Sequence, residues 1–341
     1  MLNPAQRFPL ITPGPHPMTK PACLFTGAMM DMVTEQVAKS FTIHNYWEAA
    51  DKAAFLAKVG PSIEAIGTGG HTGVKTDAAL MAACPKLKVI ANFGVGYDSI
   101  DTEAAAKRGI VITNTPDVLT EEVADTALGL LLMTVREMSK AEGWLRAGHW
   151  ATKGDYRLTP ASLRDRSLGM VGMGRIGQAI ATRCAAFGMP ISYFARSKRA
   201  EVSYPYYGNL IQMATAVDTL MVITPGGPET KNMINAEVLK ALGPRGILIN
   251  VARGTVVDET ALIAALRNKT IMAAGLDVFW NEPKINPELM TLDNATLLPH
   301  VGSGTIHTRN GMGQMVVDNL LAYAARTKPI SPVAETPFKA W

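Results

Sequence analysis

Gly172-Met173-Gly174-Arg175-Ile176-Gly177 is the stretch that most constrains how this chain can fold. It stands between an apolar run ending at Val171 and an amphipathic stretch that continues to about Phe187. Strand, tight turn and helix in that order make the opening of a dinucleotide-binding βαβ unit. Gly172 permits the turn. Gly174 lets the backbone approach a pyrophosphate with no Cβ in the way, and Gly177 lets the helix pack close to the sheet. The helix N-terminus then turns N–H groups and the positive end of its dipole toward the anion. A second apolar run, Ile191-Ser192-Tyr193-Phe194, follows where the next strand is due.

The residue after that second run selects between cofactors. A site for NADH carries Asp or Glu about 20 residues past the glycines, where the carboxylate holds the ribose 2′-hydroxyl. Here Ala195 takes that place, followed by Arg196, Ser197, Lys198 and Arg199. A carboxylate would repel a 2′-phosphate, whereas a guanidinium grips one through two parallel hydrogen bonds. The pattern predicts NADPH/NADP+ as cofactor; the alternative is a solvated basic turn.

A chain of 341 residues, 48% hydrophobic and 18% charged, is long enough for two domains with sizeable cores. The net charge of +4 is not gathered into a long run, and no zinc spacing occurs, so neither a nucleic-acid partner nor a metal is expected. Cys23, Cys84 and Cys184 are scattered and read as reduced, buried thiols. No apolar run reaches the ~18 residues of a membrane span. Residues 1–17 carry Pro4, Pro9, Pro13, Pro15 and Pro17 with no continuous apolar stretch. They read as a disordered extension and not as a secretory signal, which leaves a cytoplasmic location by default.

From Ala22 onward, short apolar runs alternate with helical patterns. Strands are expected at 23–25, 65–68, 89–92 and 111–113, with a helix over 45–59. That rhythm predicts a parallel, doubly wound domain ahead of the glycine turn. A long helix over 121–139, with Thr120 as its N-cap, separates the two domains. After Gly172, strands are expected at 191–194, 219–223, 246–250, 274–277 and 296–298. A last helix over 311–326 comes too late for the nucleotide sheet, so it returns to the first domain and makes that domain discontinuous.

In doubly wound folds, ligands bind beyond the carboxyl ends of the strands. Arg253 follows the run ending at Asn250, Glu282 follows the run through Phe279, and His300 follows Leu297-Leu298. Each has an ordinary alternative: a surface charge, a turn residue before Pro283, a structural imidazole. As a set they suit reduction of a 2-keto acid. Arg provides a planar fork for the carboxylate. The carbonyl oxygen gains charge as hydride arrives, and an imidazole can donate the balancing proton near neutrality. A carboxylate beside an imidazole favours its protonated form and fixes its orientation.

These residues lie in motifs that resemble the D-isomer-specific 2-hydroxyacid dehydrogenase family. The similar stretches are GMGRIG at 172–177, NVARGTVVDETALIAAL at 250–266, AAGLDVFWNEP at 273–283 and LLPHVGSGT at 297–305. NFGVGYDSID at 92–101, ITNTPDVLTEEVADTALGLLL at 112–132 and LRAGHW at 145–150 fit as well. The stretch ISYFARSKR is most similar to the family's NADPH-dependent hydroxyphenylpyruvate and glyoxylate/hydroxypyruvate reductases.

The resemblance implies an α/β architecture of two Rossmann-like doubly wound parallel-sheet domains. The outer, substrate domain would take 18–115 and 302–341, the NADP-binding domain 116–301, with the active site in the cleft between them and a homodimer built on the cofactor domain. It implies Arg253 as the binder of substrate carboxylate and carbonyl, His300 as the acid–base group and Glu282 as its partner. The Val95 and Gly96 amides would also hold the carboxylate, in a nest of successive N–H groups. Gly172, Met173, Gly174, Arg175, Ile176 and Gly177, with Ala195, Arg196, Ser197 and Lys198, would contact phosphates and ribose. Thr224 and Pro225 would line the cofactor, and Val251, Ala252, Asp277 and Gly302 would surround the nicotinamide.

The expected activity is reduction of small 2-keto acids, glyoxylate and hydroxypyruvate, to D-2-hydroxy acids. Two alternatives stay open: a reductase of aromatic keto acids such as hydroxyphenylpyruvate, and an NADPH-sensing binding protein of the corepressor kind. His71-Thr72-Gly73 reads equally as a substrate contact or a polar turn. Trp150 reads as a core or interface residue or as one reaching a partner's site, and Tyr97 stands beside the carboxylate loop.

Overall fold

The computed structural model describes residues 20–69 and 74–341. The segment 1–17 and the residues His71-Thr72-Gly73 lie outside the described residues. The described residues divide into two compact units: those up to Thr115 together with Asn310–Trp341, and Pro116–Arg309. The later boundary falls inside the helix Ile306–Ala324, not at 302, because that helix starts before the chain changes unit. Among the described residues no helix is long and apolar enough to cross a membrane.

The first unit is a five-stranded parallel sheet of β1 (Ala22–Phe25), β2 (Thr42–Asn45), β3 (Ile63–Thr68), β4 (Val89–Asn92) and β5 (Val111–Thr113), in the order β2-β1-β3-β4-β5. Every residue of β1, β4 and β5 is buried, the condition under which parallel strands become short continuous apolar runs. Leu24, Ile63, Ile66, Ile90 and Ile112 share its core. The helix expected over 45–59 is corrected. Asn45 ends β2, a 3-10 turn spans Tyr46–Glu48, and the helix is Lys52–Val59. Asp51 starts it, its carboxylate accepting the Ala54 amide at 2.9 Å.

The second unit holds β6 (Leu168–Val171), β7 (Ile191–Phe194), β8 (Tyr206–Tyr207), β9 (Thr219–Val222), β10 (Ile247–Asn250), β11 (Ala273–Leu276) and β12 (Ala295–Leu297). Their order is β12-β11-β10-β9-β6-β7-β8, and every pair is parallel. That is the doubly wound dinucleotide-binding order, with the winding reversing between β6 and β9. Leu297, Leu276, Asn250, Val222, Val171 and Phe194 pair in one row across six of these strands. The residues just past that row therefore emerge together along one edge.

Behind the sheet, the helices Thr120–Arg136 and Arg175–Ala186 bury Ala124, Ala127, Leu131, Ile180, Ala181 and Cys184 in one core with Leu168, Met170 and Ile249. The helix expected over 121–139 is corrected at both ends. Thr120 is its first residue and Leu119 its cap, with no side-chain cap bond. It stops at Arg136 because Glu137 turns left-handed (φ 50°), and a second helix runs Met138–Arg146. Tertiary contacts hold that break: Tyr156 Oη and Arg157 donate to the Glu137 carboxylate at 2.8 and 2.7 Å. The last helix begins at Ile306 rather than 311, where the Thr305 hydroxyl accepts the Thr308 amide.

Candidate active site

The glycine turn follows directly from β6. Gly172 has φ 103°, and a Cβ there would lie 2.9 Å from the Ile223 carbonyl oxygen at the end of the neighbouring strand β9. A Cβ on Gly177 would lie 2.5 Å from the Gly172 carbonyl, so helix and turn touch backbone to backbone. Gly174 differs: a Cβ there would meet nothing within 4 Å. It caps the helix Arg175–Ala186 and faces open space at its N-terminus. A free helix end with an unobstructed backbone approach is the form a bound pyrophosphate needs, so the residues present fit a dinucleotide. Met173 is buried in the core and Ile176 packs against it, while Arg175 pairs with Asp117 at 3.1 Å.

Beyond β7, Ala195 is half-buried and its carbonyl accepts the Tyr206 hydroxyl at 3.2 Å. Arg196, Ser197, Lys198 and Arg199 are exposed, and Arg196 bridges to Glu229 at 3.2 Å on the loop after β9. No carboxylate is carried at the Ala195 position to repel a 2′-phosphate. Thr224 and Pro225 begin the β9 loop, and the Pro225 carbonyl accepts the Thr230 hydroxyl at 2.7 Å.

After β10, Asn250 shapes the turn that carries Arg253. Its buried amide group accepts the Ala252 N–H at 3.0 Å and donates to the Arg253 carbonyl at 3.0 Å. Val251 and Ala252 are buried below, and the half-buried Arg253 guanidinium donates to the Ala252 carbonyl at 2.7 Å. Gly254 closes the turn against Phe279, whose backbone leaves no room for a Cβ.

After β11 and β12 the titratable groups converge. His300 Nδ1 lies 2.6 Å from Glu282 Oε2, and Glu282 Oε1 accepts the Phe279 N–H at 2.8 Å. A carboxylate can only accept, so Nδ1 is the donor in this bond, and Nε2 is the ring nitrogen that the bond does not use. Both side chains are about one-fifth exposed, enough for access and too little for bulk-water screening of the pair. His300 itself holds φ 52°, a left-handed conformation that a non-glycine residue keeps only when its surroundings enforce it.

Asp277 holds the two residues that follow His300. Only 2% exposed, it accepts the Val301 amide at 2.7 Å and the Gly302 amide at 2.9 Å. Burial pushes its carboxyl above the usual range; the two amides and His300 oppose that, and Glu282 adds to it.

In the first unit, Val95 and Gly96 sit on a loop held from behind. Asn92 Nδ2 donates to the carbonyls of Gly94 (2.9 Å) and Gly96 (3.0 Å), and Asn114 Nδ2 to that of Val95 (2.9 Å). With the carbonyls turned inward, the Val95 and Gly96 amides donate to no acceptor among the described residues. Tyr97 turns away to Glu335, 3.0 Å from its hydroxyl. Trp150 is 60% exposed, with its indole N–H on Asp155 at 2.9 Å.

The structure thus brings Gly172–Gly177, Ala195–Lys198, Thr224, Pro225, Val251–Arg253, Asp277, Glu282, His300 and Gly302 to the strand ends of one sheet. Val95 and Gly96 belong to the other unit. Sequence reasoning missed Asn250 and Asn92, which shape the Arg253 turn and the Val95–Gly96 loop. The signal was there: a buried Asn as the last residue of an apolar strand must satisfy its amide locally.

The fold agrees with that of relatives of this chain. Residues 128–302 match the D-isomer specific 2-hydroxyacid dehydrogenase, NAD binding domain family. A hydroxyphenylpyruvate reductase of Plectranthus scutellarioides is 42% identical over 89% of this chain and 96% of its own length. Glyoxylate/hydroxypyruvate reductase A of Arabidopsis thaliana is 40% identical over the same shares. The crystal structure of an NADPH-dependent glyoxylate/hydroxypyruvate reductase from Sinorhizobium meliloti, in complex with NADP and malonate, superposes with a TM-score of 0.88. It is 47% identical, covering 95% of this chain and 99% of that one. The chain belongs to the D-isomer specific 2-hydroxyacid dehydrogenase family.

Proposed function

We propose that this chain reduces small 2-keto acids, glyoxylate and hydroxypyruvate, to D-2-hydroxy acids with NADPH. One observation carries the reading: the 2.6 Å His300–Glu282 pair emerges from the same sheet edge as the glycine turn and the Arg253 turn. When bound, NADPH would supply a hydride to the ketone carbon. Gly172–Gly177 would receive the pyrophosphate, and Arg196, with Ser197 and Lys198, the 2′-phosphate. Thr224 and Pro225 would flank the cofactor, while Asp277, Val251, Ala252 and Gly302 would surround the nicotinamide end. Arg253 grips the substrate carboxylate and draws charge toward the carbonyl oxygen. His300 passes the Nε2 proton to that oxygen as it becomes an alkoxide, and Glu282 holds the ring through Nδ1 while the charge leaves it. Such acid catalysis is worth ~10²–10⁴ in rate. In this reading the Val95 and Gly96 amides of the first unit form a nest suited to a carboxylate.

The hydroxyphenylpyruvate reductase relative favours a second reading, in which the substrate carries an aromatic ring. A binding protein of the corepressor kind would have no use for the Glu282–His300 pair. The test is a panel of glyoxylate, hydroxypyruvate and hydroxyphenylpyruvate, each with NADPH and NADH. The highest kcat/KM is expected for a small keto acid with NADPH. A preference for hydroxyphenylpyruvate moves the assignment to the aromatic class, and a preference for NADH removes the cofactor assignment.

We further propose that the protein works as a homodimer in the cytoplasm. Met138, Leu145, Trp150 and Leu158 are exposed along one stretch of the second unit, a surface suited to a second copy. The three cysteines are free and buried, and burial pushes Cys84 up to about 11 and Cys184 up to about 12, as inert thiols of a reducing compartment.

A further inference from the structure

The loop that carries His300 is fastened by more than the residues assigned so far. Asp277 takes the Val301 and Gly302 amides, and Thr126 Oγ1 donates to the Gly302 carbonyl at 3.3 Å. The next carbonyl, that of Ser303, accepts Nε of Arg309 at 3.1 Å. Arg309 stands in the first turn of the helix Ile306–Ala324, its own amide on the Thr305 carbonyl at 2.9 Å. A rigid helix therefore presents a planar cation to the back of a loop whose histidine is held in left-handed backbone. The half-buried guanidinium feels two opposed influences: burial, which disfavours its charge, and the Asp277 carboxylate, which favours it. Asp277 is fully enclosed, and the other charged groups facing it are His300 and Glu282, the latter disfavouring its ionisation.

We propose that Arg309 is a positioning residue for proton transfer: it pins the Ser303 carbonyl and supplies counter-charge to Asp277, so that the His300 loop keeps its aim. The inference rests on the reading of His300 as the acid–base group. Its physical content is a chain of two dependencies. Ionised Asp277 offers acceptor oxygens to both amides, whereas a protonated carboxyl turns one oxygen into a donor facing an N–H. Without the Arg309 charge, ionisation of Asp277 in its enclosed position becomes costlier, and the clamp fails first as pH falls.

The experiment compares Arg309→Met and Arg309→Lys with the parent enzyme, using hydroxypyruvate and NADPH across a pH series. Hydrogen exchange of the peptide spanning 298–304 is followed in parallel. Arg309→Met removes charge and fork. It should lower kcat by ~10-fold to 100-fold, as expected when a catalytic group is displaced by about an ångström. The loss should deepen toward acid, KM for NADPH should change far less than kcat, and exchange in 298–304 should quicken. Arg309→Lys keeps the charge. It should keep the parental pH profile while losing part of kcat, a split that a merely structural role would not produce. Parental kcat and pH profile in Arg309→Met overturn the proposal. If that variant does not fold, parental kcat together with parental exchange in Arg309→Lys overturns it instead. His300→Ala, assayed alongside, separates the two claims: near-normal turnover there removes the acid–base reading itself, whereas a dead His300→Ala beside an unaffected Arg309→Met removes only the role of Arg309.

Discussion

Replacing Glu282 by Gln changes one atom and should cost most of the proton-transfer chemistry. Glu282 is used at both oxygens: Oε2 accepts from His300 Nδ1 at 2.6 Å, and Oε1 accepts the Phe279 N–H at 2.8 Å. A carboxamide has one acceptor and one donor end. If its oxygen stays on Phe279, its NH2 faces Nδ1, which must then give up its proton, leaving a ring that cannot release the Nε2 proton without becoming an anion. If its oxygen stays on His300, its NH2 faces the Phe279 N–H, donor against donor, and the side chain is pushed out of place. Either way a hydrogen bond to a charged group is lost, worth about 1.5–3 kcal/mol. At 1.36 kcal/mol per decade, kcat should fall by roughly 10-fold to 150-fold. The assay is kcat for hydroxypyruvate reduction at saturating NADPH, with cofactor affinity measured separately. The cofactor Kd should hold within ~3-fold, because a change of that size is under 1 kcal/mol. A Glu282→Gln enzyme that keeps kcat within the same margin would show that the pair does not carry the proton transfer.

Three further outcomes follow from other parts of the molecule. Gly177→Ala puts a Cβ 2.5 Å from the Gly172 carbonyl, a backbone atom that cannot swing aside; it should lower stability by about 1–3 kcal/mol and weaken NADPH binding, and an unchanged urea midpoint would contradict the close helix–turn packing. Ala195→Asp introduces the missing carboxylate and should shift the NADPH-to-NADH ratio of kcat/KM by at least ~10-fold toward NADH, since like charges near 4 Å repel by ~1–4 kcal/mol; an unchanged ratio would mean that the 2′-phosphate binds elsewhere. Tyr97 is pushed up from 10.0 to about 12, first by burial and then by Glu335. A raised folded-state value means that its stabilisation is whole below about 10 and is lost as pH rises through about 12. Tyr97→Phe should therefore lose about 0.5–1.5 kcal/mol at neutral pH and show a flatter alkaline decline in the denaturation midpoint; a decline as steep as the parent's would count against the Tyr97–Glu335 bond.

The parts of the site that could be read from residues alone are those fixed by one local rule. Buried parallel strands are short, mainly apolar runs, so β6, β9, β10 and β11 stand out, and the residue after each run must lie at its carboxyl end. Gly172, Arg253 and His300 were visible for that reason. β2 was not: it is an edge strand with no fully buried residue, so its Thr42-Ile43-His44-Asn45 carries no clear periodicity. The helix break at Glu137 has neither Gly nor Pro to announce it and depends on Tyr156 and Arg157 from a later segment. The two-residue β8 pairs only with β7, too short for any pattern. Asp277 was placed near the nicotinamide by resemblance, yet its clamp on Val301 and Gly302 depends on the register that sets β11 beside β12. Arg309 carried no signal at all, because its role arises from a helix meeting a loop.

In the proposed reaction the imidazole of His300 delivers the proton that completes ketone reduction while the glycine turn holds NADPH independently of it. A single-turnover measurement of NADPH oxidation by hydroxypyruvate in His300→Ala, alongside NADPH titration of the same protein, tests it most directly. The rate should be lower by ~10²–10⁴ with the NADPH Kd essentially that of the parent. Oxidation at the parental rate, or a collapse of NADPH binding that itself explains the loss, would contradict it.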